Sequence, residues 1–276
     1  MNTTHHRPNE AERQRWNDDY WTSSWPRRVA LTSSATPVLL DAVDLKAGEV
    51  VLDVGSGTGE TTLEAAARVG VAGRAVGADI SEALVDYARR AAAKRAAANT
   101  WFVVADAQHE TVPGKPFDAA ISQFGVMFFE DPVAAFSNLR AHVADRGRLG
   151  FACWRTPAEN PWFVGHALAG FLVPPPAPLP GRHATGPFAF SDPDDVASIL
   201  AAAGWGGVER QAVDRTVVLE RTALTDDGQA AHLGVATEAL ADAARAVDEY
   251  YAPFTLGDGR VEVPIAYQVF TAANRP

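Results

Sequence analysis

The sequence predicts a doubly wound α/β domain, and three observations carry that prediction. An apolar run, Val50–Val54, leads straight into glycines at Gly55, Gly57 and Gly59. Buried parallel strands read as such runs, and glycines after one allow a tight turn and close approach of a ligand to bare peptide groups. Strand-like and helix-like runs then alternate across residues 50–154, the pattern a parallel sheet with helices on both faces demands. Finally, two acids, Asp79 and Asp106, each follow a strand-like run, and ligands in open α/β sheets sit beyond the carboxyl ends of the strands.

Composition sets the frame. A chain of 276 residues, 47% of them hydrophobic, suits one large domain with a real core, or one domain with a sizeable insertion. No apolar run approaches the roughly 20 residues that span a bilayer, and the polar start, MNTTHHRPNEAERQRW, has no signal-peptide core. The lone Cys153 excludes an internal disulfide and suits a reducing cytoplasm. A net charge of −10 disfavours nucleic acid or an anionic membrane as the main partner. The expected partner is therefore a small molecule; a homo-oligomer is compatible with the sequence.

In chain order, residues 1–12 read as disordered or frayed. RQRWNDDYWTSSW follows, with Trp16, Tyr20, Trp21 and Trp25 near helical spacing. It reads either as a helix packing its aromatic face on the core or as a lid whose rings cover a ligand. Pro37–Val43 is a further amphipathic helix, so residues 13–45 form an N-terminal helical segment. After the glycine loop, Thr61–Val69 is helical with Gly70 as its stop. Arg74–Ala78 is a second strand, Glu82–Ala98 a helix capped by Ser81, and Trp101–Ala105 a third strand. Asp118–Ser122 is a fourth strand leading into Gln123, Phe124 and Gly125; Met127, Phe128 and Phe129 read as core or pocket wall. Asp131-Pro132 starts a helix that runs to about His142, and Arg148–Trp154 is the fifth strand. Pro161–Val173 is apolar with helical character, and VPPPAPLPG at 173–181 must be a loop. Asp192-Pro193 opens a helix closed by Gly204, and Gln229–Tyr251 reads as one long helical stretch. Val208–Leu219 and Ile265–Ala272 are a terminal pair of strands with that helical insertion between them.

The loop narrows the ligand. A dinucleotide fingerprint needs a third glycine at position 60, which is Glu60, and a P-loop needs a lysine that is absent. A carboxylate at the helix start repels phosphate, so an adenosine compound without phosphate fits better, and S-adenosyl-L-methionine (SAM) is one. Asp79 lies 79 − 59 = 20 positions past Gly59, the distance at which an acid on the second strand receives a ribose diol. Asp106 can accept from an adenine amino group, and Ser122 and Gln123 are placed to face the methionine part.

VLDVGSGTG, GADIS, VVADAQ and FDAAISQFGVMFF, in that order, resemble a class I SAM-dependent methyltransferase. The small-molecule subgroup related to the ubiquinone and menaquinone C-methyltransferases is the nearest match, and RWNDDYWTSSWPRR resembles its N-terminal segment. The likeness covers roughly residues 13–160 and returns at GPFAFSDPDDVASILAAAGW. It implies a single Rossmann-like domain over 1–276: a seven-stranded sheet whose last strand is antiparallel, N-terminal helices, and variable substrate-cap insertions at 155–190 and 220–260. It also implies Gly55, Gly57 and Gly59 at the methionine moiety, with Ser56 among the cofactor-binding residues, Asp79 at the ribose, Ile80 beside the adenine, Asp106 with Ala107 at the adenine edge, and Trp21 and Trp25 closing over the site. The family's usual Pro-Gly-Gly turn before the fifth strand is here Ala144-Asp145-Arg146-Gly147.

Such an enzyme moves a methyl group to a small, hydrophobic metabolite by in-line displacement, as in secondary metabolism. A base is needed only where the acceptor must lose a proton; His166 and His183 are candidates, and Tyr20 can orient substrate. No spaced His/Cys/carboxylate cluster suggests a metal. Two other classes remain open: a SAM-binding fold serving as a cyclase or scaffold, and an NAD-dependent oxidoreductase, against which the missing glycine and the lack of a Tyr-xxx-Lys pair both count.

Overall fold

A computed structural model of the chain describes residues 9–172, 184–224 and 227–275. Three helices come first: α1 (Glu10–Trp16), α2 (Asp19–Thr32) and α3 (Ala35–Val43). The alternation follows as β1 (Val50–Val54), α4 (Glu60–Val69), β2 (Arg74–Asp79), α5 (Glu82–Lys94), β3 (Thr100–Val104), β4 (Phe117–Gln123), α6 (Pro132–His142) and β5 (Val143–Trp154). Beyond it lie α7 (Gly165–Leu168), α8 (Pro193–Ala202), β6 (Gly206–Leu219), α9 (Arg221–Leu224), α10 (Asp227–His232), α11 (Leu240–Tyr251) and β7 (Val261–Ala273).

One seven-stranded sheet forms in the order β3-β2-β1-β4-β5-β7-β6. β1 to β5 pair in parallel, and β7 runs antiparallel to both β5 and β6. The chain therefore has the Rossmann-like α/β fold with its last strand reversed. From β1 the chain moves outward to β2 and β3, then returns to β4 on the other side. That reversal opens a crevice between the carboxyl ends of β1 and β4.

Local chemistry starts the helices where the sequence predicts. Ser81 Oγ accepts from Leu84 N at 3.2 Å to cap α5. Asp131 caps α6 through Ala134 N at 3.0 Å, with Pro132 in the first turn, and Asp192 with Pro193 repeats the device at α8. The buried α3 side chains Leu39 and Val43 lie on Gly150 of β5, where an added Cβ would come 2.1 Å from Val43 Cγ2. Glycine there lets the helix settle on the sheet. No helix among the described residues is long and apolar enough to cross a membrane.

Three expectations are corrected. The frayed end at 1–12 does not extend through its last residues: Asn9 and Glu12 are buried and α1 begins at Glu10. The stretch Gln229–Tyr251 is broken into α10 and α11, because Gly234 takes φ 96° and Val235 N bonds back to Ala230 O at 3.0 Å, closing the first helix. Within Pro161–Val173, helix is confined to Gly165–Leu168. The proline-rich loop at 173–181 lies outside the described residues.

Candidate functional site

The glycine loop is stitched to β2 by its backbone. Gly55 N and Ser56 N both donate to Ala78 O, at 2.8 and 3.1 Å. Gly57 N donates to Asp79 Oδ2 at 2.8 Å, and Ser81 N to Asp79 Oδ1 at 2.9 Å. Gly55 has φ 68°, and a Cβ there would lie 2.9 Å from Gly125 Cα, so the ends of β1 and β4 touch only because both residues are glycine. At Gly59 an added Cβ would meet Ala88 Cβ and Phe102 Cζ at 2.9 Å. Its φ of 92° and the close packing of α4 against α5 and β3 both call for glycine there, and Gly59 does not line the crevice above the strand ends.

The loop sits over buried charge. Burial pushes the Asp79 carboxyl up, while the N–H groups of Ser81 and Gly57 pull it down. Asp53 of β1 is also buried. Burial pushes it up to about 7, against a bond from Thr62 Oγ1 at 2.6 Å and helped by the negative neighbours Asp79 and Glu60. Asp53 Oδ1 has no partner among the described residues.

Above the strand ends lies a crevice walled by Trp16 and Trp25 from the N-terminal helices, Val54, Gly55 and Gly57 from the loop, and Asp79, Ile80 and Leu84 from the second βα unit. Asp106 and Ala107, Gln123 to Gly125, and Phe128 with Phe129 complete the lining. A second cavity adjoins it, sharing Trp25, Gly55, Gly57, Gln123 and Phe124 and continuing along Thr32, Ser33, Glu60 and Thr61. Trp25 divides the two, its indole 3.8 Å from where a Gly57 Cβ would be.

Of the residues predicted for the cofactor, Trp25, Gly55, Gly57, Asp79, Ile80, Asp106, Ala107 and Gln123 line the crevice. Ser56 lines the second cavity. Ser122 is buried beneath, its Oγ unpartnered among the described residues. Gln123 is held in place by Thr36 Oγ1, which donates to its Oε1 at 2.7 Å. Trp21 stands one layer back: it packs on Trp16 with ring centroids 5.2 Å apart, and its Nε1 donates to His232 Nε2 at 2.9 Å.

The candidates for chemistry lie elsewhere. Tyr20 accepts from Arg28 Nη2 of the same helix at 2.7 Å, and its ring stacks on His232 of the cap. His166 is exposed, with Nε2 3.0 Å from Pro157 O and its ring stacked on Tyr250. Neither lines the crevice: Tyr20 lies on α2 with its ring against His232, and His166 lies on α7. His183 lies outside the described residues.

Sequence reasoning missed several crevice residues. Asn9 is buried at φ 55°, and its Nδ2 donates to both carboxylate oxygens of Asp106 at 2.9 Å. Nothing in a polar tail signals that contact. Phe124 also lines the crevice, as do Trp16 and Phe128, which the sequence offers as a lid ring and as core or pocket wall.

Residues 51–147 match a family model described as a methyltransferase domain. A nocamycin O-methyltransferase from Saccharothrix syringae is 31% identical over 60% of this chain and 62% of its own length. A demethylmenaquinone methyltransferase from Beutenbergia cavernae is 32% identical over 61% of this chain and 70% of its own. Another curated relative is matched over 51% of its length, so the chain spans about half to two thirds of the curated relatives it matches most strongly. A putative methyltransferase from Bacillus halodurans superposes with a TM-score of 0.60 over 88% of this chain and 100% of its own, at 19% identity, a likeness of fold alone. Ordered motifs, a loop stitched onto β2 and these relatives together show that the chain belongs to the class I SAM-dependent methyltransferases.

Proposed function

We propose that this chain transfers a methyl group from SAM to a small, hydrophobic metabolite by in-line displacement. The observation that carries the reading is the pairing of two buried carboxylates, Asp79 and Asp106, at successive strand ends under an aromatic wall. The residues present suit the cofactor. Asp79 retains lone pairs for a ribose diol beyond the two backbone N–H groups it already receives. Glu60 opens α4 with a carboxylate, which suits a ligand without phosphate.

SAM supplies an electrophilic methyl on a positively charged sulfur. The chain's part is orientation and exclusion of water. Gly55 and Gly57 present bare backbone, Gln123 is locked by Thr36, and the rings of Trp16, Trp25 and Phe128 shut out solvent. Holding two reactants in line can contribute on the order of 7–11 kcal/mol of barrier lowering. Charge on sulfur is dispersed as the acceptor attacks, so an apolar wall favours the step. A cytoplasmic setting accords with the buried, unpaired Cys153.

Incubation with methyl-labelled SAM and a metabolite extract tests the reading. A labelled product, with stoichiometric S-adenosylhomocysteine, is the expected result. Tight SAM binding without turnover across many acceptors would point to a cyclase or scaffold, and NADH uptake without SAM binding would remove the reading altogether.

A further inference from the structure

Phe124 is the bulky residue of the crevice whose backbone is out of the ordinary. It has φ +58°, a left-handed conformation that side chains larger than Asn avoid. The turn is forced by its neighbours: Gly125 must reach Gly55 in close contact, and Phe124 N is tied to Ala152 O at 3.0 Å. A glycine at 124 would make the same turn freely. A strained residue held at a site points to a use for its side chain.

That side chain is fixed on one side and open on the other. Its ring stacks on Trp154 with centroids 4.1 Å apart and 12° between planes, and the edge of Tyr267 closes in at 5.9 Å. Both partners are buried, and Trp162 backs Trp154 at 4.6 Å. Phe124 itself is half-buried and borders both the crevice and the second cavity. A rigid aromatic stack thus presents one free face at the junction of the two spaces, next to Gln123.

Resting on the methyl-transfer reading, we propose that Phe124 is the specificity-determining residue of the acceptor site, and that the site takes a flat, conjugated ring stacked on its free face. Offset stacking fixes the plane of an acceptor, which is what in-line attack needs. The alternative use, stabilising the sulfonium, would favour the ground state, where the positive charge is greatest, over the transition state, and so work against the reaction.

The test uses the full chain with S-adenosylhomocysteine bound, and two bicyclic alcohols of matched skeleton as probes: flat 2-naphthol and saturated 2-decalol. Calorimetry reads the affinity of each. Wild type should prefer 2-naphthol by about threefold to tenfold, the size of one aromatic stacking contact. Phe124→Leu should remove the preference and Phe124→Tyr should keep it. No preference in wild type, including failure to bind either probe, overturns the proposal. So does a preference that survives in Phe124→Leu, or a parallel loss of cofactor-product affinity, which would assign the ring to the cofactor. Failure of wild type to bind SAM or its product would instead remove the methyl-transfer reading itself.

Discussion

The two halves of the site are held together by different means. Under β1 to β3, polar groups meet backbone: Asp79 receives Gly57 N and Ser81 N, and Ala78 O receives Gly55 N and Ser56 N. Under the lid, side chains meet side chains. Trp16 touches Trp21, Trp25 and Phe128 through their rings, and Trp21 reaches the cap through His232. A grip made of backbone depends on where the chain turns, so it rests on a few fixed positions, the glycines and Asp79. A wall made of rings can be rebuilt one side chain at a time. On the proposed reading, the difference teaches how one cofactor half could serve many acceptor halves.

Breaking the backbone-held half should have the largest effect. Asp79→Ala removes two charge-assisted bonds to backbone N–H, each contributing about 1.5–3 kcal/mol, and the ribose partner with them. Titration of S-adenosylhomocysteine should show affinity lower by a hundredfold or more, in rough keeping with about 3 kcal/mol. An effect below tenfold would mean that the loop holds its shape without the acid.

A second cut goes beneath the same half. Asp53 is raised by burial to about 7, from an ordinary value of 3.8. Between those two values the folded state holds a proton that the unfolded chain releases. This group's contribution therefore falls as pH rises from about 4 to about 7, then stays level. Asn imitates the protonated acid and can still accept from Thr62. Asp53→Asn should gain stability over wild type on going from pH 5 to pH 8, by on the order of 2–4 kcal/mol, read by urea unfolding at both pH values. Parallel profiles for the two proteins would show that Asp53 does not titrate in this range.

The same division explains what could be read from the sequence. Val50–Val54, the glycines and the acids at 79 and 106 are local signals, and each element they mark is present. Capping residues Ser81, Asp131 and Asp192 were equally legible, since a cap acts within three residues of itself. At Gly59 packing and ligand approach demand the same residue type, so the packing against Phe102 was not legible beside the motif. The break at Gly234 was hidden in an alanine-rich run whose helix propensity is high on both sides. Asn9 on Asp106 and Trp21 on His232 join residues 97 and 211 positions apart. No periodicity carries contacts of that length, and the lid is made of them.

The smallest effect is expected at the joint between lid and cap. Trp21→Phe keeps a ring against Trp16 and deletes the Nε1–H that reaches His232 Nε2 at 2.9 Å. Both residues are half-buried, so water can replace the lost partner and the net loss is about 0.5–1.5 kcal/mol. Asp18 lies 3.6 Å from the other nitrogen of His232, which holds the imidazole near its place after the substitution. Affinity for S-adenosylhomocysteine should fall by about threefold and no more than tenfold, while amide exchange in α2 quickens. The second readout separates a loosened lid from a damaged pocket. A loss as large as that in Asp79→Ala, with exchange in α2 unchanged, would place Trp21 in the cofactor grip and erase the distinction between the two halves.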